Sequence, residues 1–96
     1  MLKQYVCRSE STVYRIINGV AIVVAAPEGK LRTLNKVGTL IWQQADGRHA
    51  LVDIIDLISQ EFDVAYDQAV NDAESFVQEL VDKNMLELTD SPVLGG

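Results

Sequence analysis

The chain has 96 residues, a net charge of −6 and an apolar share of 48%. That describes one ordinary domain, with room for a single core and none for a deep enclosed active site. A sequence pI of about 4.5 argues against nucleic-acid binding, because an acidic chain repels phosphate and such proteins normally carry a basic patch.

No apolar run reaches the ~18 residues that a membrane span needs. The opening MLKQYVCRSES has no apolar stretch of the secretory type. Cys7 is the only cysteine, which suits a reducing, cytoplasmic setting and excludes an internal disulfide. No membrane contact is expected.

In chain order, the first third reads as strands. STVYRII (11–17) and VAIVVAA (20–26) flank Asn18-Gly19. Asn-Gly between β-branched runs is the strongest short hairpin signal, since both positions tolerate the positive φ of a type I′ turn. PEG (27–29) is a second turn, and KLRTLN (30–35) alternates as a short third strand. The result is a three-stranded antiparallel meander.

Asn35 is placed to cap the helix that follows, its side-chain carbonyl accepting a first-turn N–H. Val37, Leu40, Ile41 and Ala45 recur at helical spacing, and Trp42 adds apolar character on another side. Gly38 falls in the first turn, where a missing Cβ admits a close neighbour. Elsewhere in a helix Gly costs ~1 kcal/mol relative to Ala. Asp46-Gly47 is expected to stop this helix, with Gly47 in the left-handed position.

A second helix is expected over Ala50–Phe62, with Leu51, Ile54, Ile55, Ile58 and Phe62 as its buried stripe. A third is expected over Tyr66–Lys83, where Ala69, Ala73, Phe76 and Leu80 form one stripe with Val70, Val77 and Val81 beside it. That apolar arc is wider than one layer of core contact requires. Asn84 can end the helix in the left-handed region, and MLEL (85–88) can add a strand. The expected organisation is one domain over 1–90 and a flexible C-terminal tail over 91–96. The class is α+β: winged helix-turn-helix-like, a three-stranded antiparallel meander followed by three helices.

Catalytic and metal chemistry find no support. One His and one Cys cannot supply the three or four ligands of a zinc site or the thiolates of an iron–sulfur cluster. There is no phosphate-binding Gly loop and no nucleophile elbow. His49 has no evident nucleophile or orienting partner. The acidic residues, Glu79 among them, punctuate two amphipathic helices as solvated faces do. The expectation is a protein that is not an enzyme and holds no cofactor or metal.

LN-x-VG-x-x-IW-x-x-x-DG at 34–47, LVDIIDLISQEFDV at 51–64, and Asp72, Phe76 and Leu80 in D-x-x-x-F-x-x-x-L together resemble the PqqD-like family, the RiPP precursor peptide recognition elements. The resemblance spans roughly residues 12–88, and the LN…G…IW…DG order is its most specific part. It implies a non-catalytic chaperone or adaptor, monomeric or weakly dimeric. Such a module grips the leader segment of a ribosomally made precursor peptide and presents it to a modifying enzyme, often a radical SAM protein, in the biosynthesis of pyrroloquinoline quinone or a related peptide-derived product.

In that family the leader lies against the third strand, in a groove shared with the third helix. Carried onto this chain, the resemblance implies peptide binding by Lys30, Leu31, Arg32, Thr33 and Leu34, with Val70, Ala73, Val77 and Val81 as the helical wall. An edge strand is physically suited to the task, because an extended guest can complete its backbone ladder. Arg32 and Lys30 read as attractors of acidic leader residues or as guards against edge aggregation, the two readings equal for Lys30 and tilted toward binding for Arg32. Asn35, Gly38, Trp42 and Gly47 are assigned structural roles.

Departures from the family pattern are Ala50 and Ala65 at helix starts where polar caps are common, and Ala45-Asp46-Gly47 in place of Cys-Asp-Gly. The first two leave those helix starts either frayed or capped by Asp46 or Asp63 instead; the third puts the specific pathway in doubt. Two other readings remain: a winged-helix DNA-binding or transcription-associated protein, and a structural subunit that docks on an enzyme without touching substrate.

Overall fold

Pairing of three short strands drawn from both ends and the middle of the chain closes the molecule. These are β1 (Tyr5–Arg8), β5 (Asp46–Ala50) and β6 (Leu86–Thr89), in the order β5-β1-β6. The expected meander forms a separate sheet of β2 (Thr12–Ile17), β3 (Val20–Ala25) and β4 (Lys30–Thr33), in the order β2-β3-β4. The helices are α1 (Lys36–Gln44), α2 (Leu51–Glu61) and α3 (Tyr66–Asp82). The computed structural model describes residues 1–93. The part of the expected tail at 94–96 lies outside the described residues, while Val93 donates its N–H to the Gly47 carbonyl at 2.8 Å.

The meander forms for the reasons read from the sequence. Asn18 (φ 53°) and Gly19 (φ 79°) take the positive φ values of the turn, and β2 and β3 pair in unbroken register from Thr12↔Ala25 to Ile17↔Val20. Alternation in β3 sends Ala21, Val23 and Ala25 into the core and leaves Val20, Ile22 and Val24 on the outer side.

The exit from β4 is built around both backbone groups of Ala21. Its carbonyl accepts from Leu34 N–H at 2.8 Å. Its own N–H would be the next rung, but donates instead to the hydroxyl of Thr39 on α1, at 2.9 Å. Thr39 is the buried polar residue that ends the ladder and fixes the helix to it. Asn35 caps α1 as expected, its Oδ1 accepting from Gly38 N–H at 2.7 Å. Gly38 admits α3: a Cβ there would stand 2.9 Å from Cε1 of Phe76, closer than carbon atoms tolerate.

Trp42 is fully buried and meets Tyr14 edge to face, ring centroids 5.5 Å apart. The C-terminal end of α1 has no basic residue of its own. Arg8 of β1 fills that role, donating to the carbonyls of Trp42 (2.7 Å) and Gln43 (3.1 Å). A cation here satisfies orphan acceptors and complements the helix dipole.

Several expectations need correction. Asp46-Gly47 does not simply stop α1. The helix ends at Gln44, and Gly47, with φ +81°, lies inside β5. There the register with β1 is irregular, running from Tyr5↔Ala50 to Cys7↔Asp46, so the glycine serves a bulge. The α2 start is not frayed and is not capped by Asp46. Its first donors, Leu51 N–H and Val52 N–H, go to the carbonyls of Gln4 (3.0 Å) and Leu2 (2.9 Å). Asp46 instead accepts from Arg48 N–H and pairs with His49 Nδ1 at 2.9 Å. The buried stripe of α3 is Ala69, Ala73, Val77 and Leu80, with Phe76 at its margin.

Replacing Thr39 by Val keeps the shape but strands the Ala21 N–H in the core. That is expected to cost about 1–3 kcal/mol in denaturant unfolding, whereas Thr39→Ser, which keeps the acceptor, costs less than Val.

Candidate functional site

The candidate site is the free edge of β4. Among the described residues β4 pairs with β3 alone, in the register Ala25↔Lys30, Val24↔Leu31, Val23↔Arg32 and Ile22↔Thr33. Antiparallel neighbours alternate between bonded and non-bonded pairs. The Leu34–Ala21 bond makes that pair a bonded one, so Arg32 and Lys30 also direct their backbone groups toward β3. Leu31 and Thr33 therefore direct their N–H and C=O groups away from the sheet. This is the arrangement to which another extended chain can add.

Side chains alternate with the same period. Arg32 stands opposite buried Val23, on the side of the sheet that faces the helices. Its guanidinium links the edge to α3: Nε donates to Glu79 Oε2 at 2.8 Å and Nη2 to Glu79 Oε1 at 3.2 Å. The remaining nitrogen, Nη1, donates to the Thr33 carbonyl at 2.9 Å, one of the outward acceptors. Lys83 approaches the same carboxylate, Nζ to Oε2 at 2.9 Å. Hydrogen bonds from Arg32, then from Lys83, hold the Glu79 carboxyl well below the usual range, at about 2. Water reaches the pair, at 35% and 37% side-chain exposure, so its contribution to folding is modest.

The structure divides the residues expected at the site. Lys30, Leu31, Arg32 and Thr33 lie along the edge, Leu31 with 64% of its surface exposed. Lys30 has Glu28 at 3.8 Å, both largely exposed. Leu34 is turned into the core, as are Ala73 and Val77. These three support the surface from behind. Val70 and Val81 are partly buried at the margin of the core. Sequence reasoning missed Glu79 and Lys83. Their i,i+4 spacing is the signature of a helical ion pair, but nothing in the sequence joins Glu79 to Arg32 across 47 positions.

On the opposite side of the sheet, Val13 (70% exposed), Ile17 (50%) and Leu31 form an apolar outer surface with Ile22 and Val24. Burial, with Glu87 nearby, raises the Cys7 thiol above its ordinary pKa, which keeps it protonated and a weak nucleophile. Among the described residues no group of three or more His, Cys, Asp or Glu stands where it could hold a metal ion, and no helix is long and apolar enough to cross a membrane.

The depressed Glu79 value sets a pH dependence. Its stabilising contribution is full above the unfolded value of 4.5 and is lost as pH falls from there through about 2. Carboxyl-carbon NMR should place the Glu79 titration at about 2. Arg32→Gln should move it up toward the ordinary range, and Lys83→Gln should move it less.

The architecture has solved counterparts. TbiB1, in complex with the TbiA(beta) leader peptide, superposes with a TM-score of 0.78 and 25% identity, covering 84% of this chain and 94% of that one. A lasso peptide synthetase B1 complexed with the leader peptide gives a TM-score of 0.74 at 17% identity, covering 85% of this chain and 96% of the other; at that identity the likeness shows the fold alone. No curated protein matches the sequence. The family model for coenzyme PQQ synthesis protein D (PqqD) matches residues 21–86, from the middle strand of the meander through all three helices to the start of β6, and this chain belongs to the PqqD family.

Proposed function

We propose that this chain is a non-catalytic adaptor. It binds the leader segment of a ribosomally made precursor peptide along β4 and presents that peptide to a modifying enzyme. The partner class we assign is a radical SAM enzyme, in the biosynthesis of pyrroloquinoline quinone or a related peptide-derived product. The observation that carries the reading is the outward set of backbone groups on Leu31 and Thr33, on an edge tied to α3 by Arg32 and Glu79. Both structural counterparts are complexes with leader peptides, and the family is named for a biosynthetic pathway.

The physics of strand addition explains how a small acidic domain recognises a peptide. Backbone hydrogen bonds to the edge supply affinity that does not depend on guest sequence, and flanking side chains supply selectivity. The core behind the edge is rigid: Leu34, Val77 and Trp42 are fully packed. Little ordering entropy is then lost on the protein side.

The test uses the short peptides encoded beside this chain's gene, titrated into labelled protein. Amide shifts are expected at Leu31, Arg32 and Thr33 and along the margin of α3 at Val70 and Val81. Shifts confined to β2, or no binding by any of these peptides, would refute the reading. Proline at position 31 or 33 removes an outward N–H while leaving the rungs to β3 intact, a placement edge strands tolerate. Leu31→Pro and Thr33→Pro are each expected to weaken peptide binding by roughly tenfold or more with little loss of thermal stability.

A further inference from the structure

Resting on the peptide-binding reading, we propose that Arg32, Glu79 and Lys83 form a clamp that closes the β4 edge in the free protein. The clamp is released by an acidic residue of the guest peptide, which makes Arg32 the residue that selects for acidity.

The closure is visible in the bonding. The Thr33 carbonyl is one of the few outward acceptors on β4, and Arg32 Nη1 already occupies it at 2.9 Å. The other two guanidinium nitrogens each donate to Glu79, so the side chain is fastened at both ends of its fork. A guest strand that bonds to the edge in register brings its own N–H to the Thr33 carbonyl and competes there with the guanidinium. Leaving Glu79 without compensation forfeits two charge-assisted hydrogen bonds. A guest carboxylate replaces them.

Local charge favours that exchange. Two cations, Arg32 and Lys83, share the single carboxylate of Glu79. A second carboxylate lets each cation have its own partner: Glu79 stays with Lys83 and the guest takes Arg32. On a chain whose net charge is −6, this is a local site where an anion is welcome.

Alternation fixes where the acid must sit. A guest residue directly opposite Arg32 points its side chain to the same side of the sheet as Arg32. Its two neighbours point to the outer side, one beside exposed Leu31 and the other beside Thr33, with partly buried Val24 and Ile22 one strand further in. Cross-strand pairing there favours apolar or β-branched residues. The guest pattern is therefore apolar–acidic–apolar, with Asp or Glu in the middle.

The test is selection from a displayed library of random 12-residue peptides against the intact chain, followed by synthesis of the selected peptides. Enrichment of the apolar–acidic–apolar triplet is expected. Changing the central acid to its amide should weaken binding to the wild type by roughly tenfold, the range of a charge-assisted bond. Against Arg32→Gln the acid and the amide should bind within about twofold of each other. Glu79→Gln, which unlocks the clamp, should tighten binding of the acidic peptide by roughly three- to tenfold. In the free protein it should also let the Arg32 Nε–H exchange faster with water. Should Glu79→Gln fold poorly on a thermal melt, Arg32→Lys takes its place. It keeps the charge but lacks the fork, so the acid-over-amide preference should shrink and persist in part.

Acid and amide peptides binding equally, with Glu79→Gln unchanged in affinity, would overturn the clamp while selected peptides that shift Leu31 and Thr33 amides leave strand addition standing. Selected peptides that leave those amides unmoved, or a library that yields none, would sink strand addition and the clamp with it.

Discussion

Everything about the β4 edge depends on how the chain leaves it, and that is decided at Ala21. In an uninterrupted hairpin both backbone groups of this residue would bond to the neighbouring strand. Here one bonds to Leu34 and the other to the Thr39 side chain. The ladder is cut halfway through the Leu34–Ala21 pair without leaving a buried donor unpaired, and the first helix is pinned to the strand it has just left. Asn35 satisfies the next orphan donor. The edge is thus short, stiffly mounted and aimed at the third helix.

Around that mounting the packing is close rather than extensive. Phe76 lies against the bare backbone of Gly38, which sets the approach of α3 to α1 and hence the position of Glu79 relative to Arg32. Tyr14 touches both Trp42 and Arg8, the latter 5.5 Å from its ring centre. Arg8 in turn holds the last carbonyls of α1. A single arginine from the N-terminal strand so joins the meander to the end of the helix. The edge offers mainly backbone groups, with one ion-paired cluster at its margin.

The second sheet shows how a small domain manages its ends. β1 lies between β5 and β6, with fully buried Val6 at its centre. The residues just before it supply the carbonyls that cap α2. A helix that lacks a polar N-cap in sequence therefore has its donors satisfied by chain that is 47 or more positions away. This removes the apparent weakness of Ala50 and explains why a good cap is not needed there.

Local chemistry made much of this legible. Asn18-Gly19 specified the hairpin, Asn35 the cap, Gly38 a close approach, and the period of Leu51, Ile54, Ile55 and Ile58 the second helix. Each depends on residues within one or two turns of one another, where propensity and spacing carry the information. The edge strand and the helix flanking it were placed correctly, but which of their side chains face outward was not, because Leu34, Ala73 and Val77 are apolar residues whose burial depends on neighbours far along the chain. β1 and β5 escaped notice because YVCR is four residues long with strand-formers only at Tyr5 and Val6, and DGRHA carries no strand signal; pairing makes them strands. The Arg32–Glu79 bond joins residues whose charges are evident in the sequence and whose proximity is not. Sequence by itself determined the meander with its open strand and the three helices, since those follow from local sterics and hydrogen bonding. Only tertiary structure decided which charges meet, which apolar side chains disappear and where the helix ends find partners, since those are properties of distance in space.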